Sequence, residues 1–167
     1  MKKILASVAL ALALLVPASV LMTGCATTSG TPVYTVEKAQ KTAAILKATA
    51  ASGVVLAYTK DKNSTPYFKV AALALAKFIT GSDLSPTALQ LALQETSVRE
   101  FKTVEAALAM NAVLGIYEVF WGDMVREKVT GNEPLKITVQ GLIDGLLQGV
   151  QDVNDIQANR SGSVAPK

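Results

Sequence analysis

Histidine is absent from this 167-residue chain, and cysteine occurs once, at Cys25. Without histidine there is no Ser-His-Asp relay, no HExxH zinc site and no imidazole for most transition-metal sites. With one cysteine there is no disulfide within the chain. Walker and GxGxxG loops are missing, as is Ser-x-x-Lys. Glu118 and Asp123 raise the question of a carboxylate pair, but five residues of helix set them about 140° apart. They would not converge on one sugar, as a glycosidase needs. Charged residues make up only 17% of the chain and aromatic residues 5%, with no block of like charge. Nothing here forms the basic footprint of a nucleic-acid binder. These absences predict a protein that is not an enzyme, with no metal, no cofactor and no nucleic-acid partner.

What is present is concentrated at the start. Lys2 and Lys3 precede an apolar run, Ile4–Val16, of 13 residues. That run is short for a membrane span, which takes about 20 residues. Pro17 and Ser19 follow, then Leu21-Met22-Thr23-Gly24-Cys25. An ordinary secretory peptide or an uncleaved anchor helix would share the apolar run. The whole pattern resembles the signal peptide and lipobox of bacterial lipoprotein precursors, with Met22 where leucine is usual. The resemblance implies cleavage between Gly24 and Cys25, and acylation of the Cys25 thiol and its new amine. With Ala26 and not aspartate after the cysteine, it also implies the outer membrane, periplasmic side, in a host with two membranes. Each buried methylene of an acyl chain adds about 0.8 kcal/mol of membrane affinity, so palmitate-type chains would hold the protein durably.

The expected organisation is therefore a signal peptide over 1–24, a lipidated tether over 25–34, a helical domain over 35–157 and a disordered tail over 158–167. Without Lys2 and Lys3 the chain's 16 basic residues become 14, against 13 acidic. The basic balance thus belongs largely to the precursor. The remaining length suits one domain.

Apolar residues in the domain recur with a helical period. Helix one is predicted over Val36–Tyr58, capped by Thr35 with Glu37 in its first turn. Its inner face reads Val36, Ala39, Ala43, Leu46, Ala50, Gly53 and Ala57. Helix two starts at Pro66 and ends before Gly81, apolar almost all round and so central. Helix three covers Pro86–Gln94 with Leu89, Ala92 and Leu93 inward, and Thr96–Lys102 reads as a turn. Helix four covers Thr103–Lys128, its stripe Val104, Leu108, Ala112, Gly115 or Ile116, and Val119. Gly131–Pro134 reads as a loop. Helix five covers Ile137–Val153, with Ile143, Leu146, Leu147 and Val150. The fold class is all-α, a compact bundle of about five helices. A short strand pair at the loops is the one alternative element.

Two groups of residues stand out. Gly141, Gly145 and Gly149 recur every four residues, and each glycine costs about 1 kcal/mol relative to alanine inside a helix. Close approach to another backbone, first of all helix one, is the compensation expected. A second copy of the chain, or a ligand groove, would serve as well. Tyr117, Trp121 and Arg126 cluster in a chain poor in aromatics. Core packing is the plainer reading, and a partner contact is the functional one, since these residue types dominate binding hot spots.

The organisation resembles that of the small uncharacterised helical lipoproteins of bacterial and prophage genomes. It implies non-enzymatic partner binding, self-association or scaffolding at a membrane surface. The alternatives are a carrier of a small apolar ligand or lipid, and a phage-type exclusion lipoprotein that blocks a receptor.

Overall fold

The computed structural model describes residues 33–100, 103–129 and 131–162, with the side chains of 97–100, 123, 128 and 161–162 excepted. Cys25 and Gly24, with the rest of the signal-peptide reading, lie outside the described residues. The elements, in chain order, are β1 (Val33–Tyr34), α1 (Val36–Lys60), α2 (Thr65–Phe78), α3 (Pro86–Glu100), α4 (Val104–Arg126), β2 (Lys128–Val129) and α5 (Glu133–Gly162). Among the described residues the fold is an all-α bundle of five helices with one two-residue strand pair.

Caps set several of the boundaries. Thr35 and Thr103, both extended, accept the Lys38 and Ala106 backbone N–H groups at 3.2 Å and so start α1 and α4. Pro66 stands in the first turn of α2 and Pro86 opens α3. Its missing N–H removes a donor that a helix start leaves unpaired anyway. The loop before α3 is fixed by Asp83, whose carboxylate accepts the Ser85 N–H at 2.9 Å. Those hydrogen bonds from Ser85 hold the Asp83 carboxyl below its ordinary pKa.

The largest interface joins α1 to α5, the first and last helices. α1 buries Ala39, Leu46, Ala50, Val54 and Ala57, and α5 buries Val139, Leu142, Leu146 and Val153. α2 is the hub, touching every other helix. It buries Phe68, Ala71, Ala72, Ala74, Leu75 and Phe78 while leaving Leu73 outside. α3 and α4 pack on each other and on α2.

Four boundaries differ from the sequence reading. α3 continues through Thr96 to Glu100, because its second half keeps helical hydrogen bonding without an apolar stripe. α5 is 30 residues long. It starts at Glu133, with Pro134 in the first turn, where the sequence reads a loop. It also runs on to Gly162, so the expected disordered tail is helical over 158–162. The expected tether ends early as well. Val33 and Tyr34 pair in parallel with Lys128 and Val129, so the fold reaches into the stretch assigned to the tether.

Candidate functional site

Among the described residues no three acidic, histidine or cysteine side chains converge as metal ligands. Three places carry distinct chemistry: the glycine seam, the aromatic group on α4 and the junction around Tyr34.

The seam brings Gly141, Gly145 and Gly149 against α1. A β-carbon on Gly141 would meet the Ala43 backbone, and one on Gly145 the Lys47 backbone, well inside van der Waals contact. One on Gly149 would stand 2.6 Å from the Val54 β-carbon and 2.7 Å from the Ala51 oxygen. All three glycines therefore serve the fold's own helix pair. The α1 side supplies Ala43, Ala50 and Ala51, small residues that bring two backbones together. This contact also accounts for the apolar character of α1. Both α1 and α4 are long and apolar enough to cross a membrane by length and composition, yet α1 is one half of the bundle's central pair.

The aromatic group separates into parts. Tyr117 is only 1% exposed, which corrects its assignment as a partner contact. Its ring meets Phe78 edge-on at 5.8 Å between centroids and Trp121 at 6.0 Å. Its hydroxyl donates to the Leu84 carbonyl at 2.5 Å. Burial, helped by the nearby Asp83 charge, pushes the Tyr117 phenol above its ordinary pKa. Tyr117 thus ties α2, the loop before α3 and α4 together. Trp121 is half-buried against the core, and Arg126 is exposed at the end of α4. Glu118 is also exposed.

The third place was not legible as a site. Tyr34 is 2% exposed although it follows a polar, proline-bearing stretch. Its hydroxyl lies 2.9 Å from Thr138 Oγ1. Thr138 in turn donates to the Pro134 carbonyl at 2.9 Å, so the Tyr34 hydroxyl is the donor to Thr138. Lys38 stands over the Tyr34 ring and pairs with Glu127, the residue between α4 and β2. The other Glu127 oxygen is buried without a partner, as are the Ser64 and Thr65 hydroxyls at the start of α2. An aromatic residue four positions before a lysine was the only sequence signal for this junction.

The face of α4 needs a correction of its own. Ala106, Ala109, Met110, Val113, Tyr117 and Met124 are buried. The two ends of the stripe expected to point inward point out, Val104 being 63% exposed and Val119 51%, while Leu108, Ala112, Gly115 and Ile116 between them are half-buried. α4 is apolar on two faces, and aromatic and methionine bulk decides which one fills the core.

Comparison with family models, with curated proteins and with solved structures finds no match.

Proposed function

We propose that this chain is a lipid-anchored protein of the bacterial envelope that works by binding and scaffolding and not by catalysis. The observation that carries this reading is Leu21-Met22-Thr23-Gly24-Cys25 behind a cationic and apolar leader, with Cys25 the chain's one thiol. The fold supports it. Val33, eight residues past Cys25, is at the surface, while Tyr34 is plugged into the core. Eight residues reach about 27 Å at most, so the bundle would ride close to the bilayer. The close-packed α1–α5 seam favours scaffolding over the carriage of an apolar ligand between those helices.

The test is metabolic labelling with a fatty-acid analogue, followed by membrane fractionation. Wild-type protein is expected to carry label and to sediment with membranes. The Cys25→Ser variant is expected to lose both. Equal labelling of the two would overturn the anchor.

A further inference from the structure

The chain enters the fold at one end of the bundle, and that end has a character of its own. α1 and α5 run parallel, because the α1 residues met by Gly141, Gly145 and Gly149 advance with them, from Ala43 to Lys47 to Ala51. Both helices therefore start at the entry end. α4 finishes there, where Glu127 meets Lys38 and β2 pairs with β1. The turn between α2 and α3 lies there too, with the Asn132 amide donating to the Ser82 carbonyl at 3.3 Å. Val33, Val36 and Val125 are exposed at this end, by 46%, 38% and 63%. Val33 stands opposite Lys128, three residues past Val125. Much of the charge around them is neutralised. Lys38 pairs with Glu127, Lys41 pairs with Glu37, and the Asp83 carboxylate accepts the Ser85 N–H. Glu133 stays exposed at the start of α5, with Lys77 and Lys136 against it. The far half of α5 differs: Asp152 and Asp155 accept from the neutral amides of Gln148 and Gln151.

We propose that the entry end is the seat of the bundle on a phospholipid bilayer, with α1 and α5 rising away from it and the three valines at the headgroup level. The proposal rests on the acylation of Cys25. The occupant follows from the lead-in: eight residues from Cys25 to Val33 span about 27 Å at most, and a bundle held that closely meets the bilayer first at the end where it is held. Valine side chains gain by leaving water. Paired charges lose less than lone ones as the dielectric falls. The carboxylates of Asp152 and Asp155 then stand about 30 Å from the start of α5, at 1.5 Å per residue. That is beyond the reach of an anionic surface potential, which fades over a Debye length of about 10 Å. Three valines are too few to hold the protein. The acyl chains hold it, and the valines set its attitude.

Single cysteines carrying a polarity-sensitive dye test it. The full chain is purified from a bacterial envelope and reconstituted into vesicles of zwitterionic and anionic phospholipid. Acylation takes up the Cys25 thiol, so the added cysteine is the one free thiol. Val33→Cys and Val125→Cys replace exposed side chains and are expected to keep the thermal midpoint of the parent. Both are expected to give blue-shifted emission. A quencher attached to lipid headgroups is expected to quench them at least threefold more than Asn63→Cys, Asn111→Cys or Leu147→Cys. Those three exposed positions lie farther from the entry end, on the loop after α1, on α4 and on α5. Fatty-acid labelling of the same samples separates the seat from the anchor. Acylated protein in which Val125→Cys is quenched no more than Asn63→Cys would overturn the seat and leave the anchor standing. Equal quenching at Val125→Cys and at Asn111→Cys or Leu147→Cys would show a bundle lying on its side and overturn it too. A blue shift at Val125→Cys without quenching from the lipid would assign this end to a protein partner, with the same result. Protein that carries no fatty-acid label would overturn the anchor, and the seat with it.

Discussion

A methyl group decides opposite outcomes at different glycines of this chain. Gly145→Ala drives a β-carbon into the Lys47 backbone and to 2.8 Å from the Ala50 β-carbon. Helix propensity returns about 1 kcal/mol, but overpacking against a backbone that cannot step aside costs about 1–3 kcal/mol or more. A net loss of up to about 2 kcal/mol is expected, read as a lower urea midpoint. Gly115→Ala meets open space and is expected to stabilise the fold by about 0.5–1 kcal/mol. Tyr117→Phe removes the donor to the buried Leu84 carbonyl and is expected to cost about 1–3 kcal/mol. The phenol also sets a pH response. Its pKa is raised on folding, so above about pH 10 the unfolded chain loses this proton first and stability falls as pH rises. Tyr117→Phe is expected to flatten that alkaline decline in denaturant midpoints measured between pH 9 and pH 11. Spacing alone singled out the three glycines of α5. The fate of Tyr117 was not legible, because a tyrosine four residues from a tryptophan suits a core and a binding surface equally.

Elements were legible where a cap announced them. Thr35, Pro66, Pro86 and Thr103 each mark a helix start seen in the structure. The same signal was present at Pro134 but sat among loop-forming residues, beside Gly131 with its φ of 81°. The start of α5 was therefore read several residues late. The strand pair is two residues long, too short for any alternation to register. The choice of face on α4 was missed because apolar residues stand on both sides, and the bulk of Met110, Tyr117 and Met124 decides which side fills the core. The caps carry their own expectation: Thr35→Ala is expected to cost about 1 kcal/mol through the lost bond to Lys38 N–H. Ser64→Ala, by contrast, removes a buried hydroxyl that has no partner, so it is expected to be neutral or stabilising. Chemical denaturation of the two variants side by side checks the contrast.

At the scale of the whole molecule, stability is concentrated where the chain's first and last helices meet. The α1–α5 pair is expected to hold the slowest-exchanging amides and α4 faster ones, a ranking that native-state hydrogen exchange reads directly. The junction at Tyr34 gives this arrangement a mechanical meaning. Tyr34 is inserted between the starts of α1 and α5, and Lys38 and Glu127 bind that corner to the end of α4. A pull directed along β1 loads the strand pair and the Tyr34–Thr138 bond in shear, and the load divides among three helices. The first turn of α1 is shielded from being peeled away residue by residue. The point where the chain enters the fold is thus built as a strain relief, like the clamp that keeps a tug on a cable from reaching its solder joint.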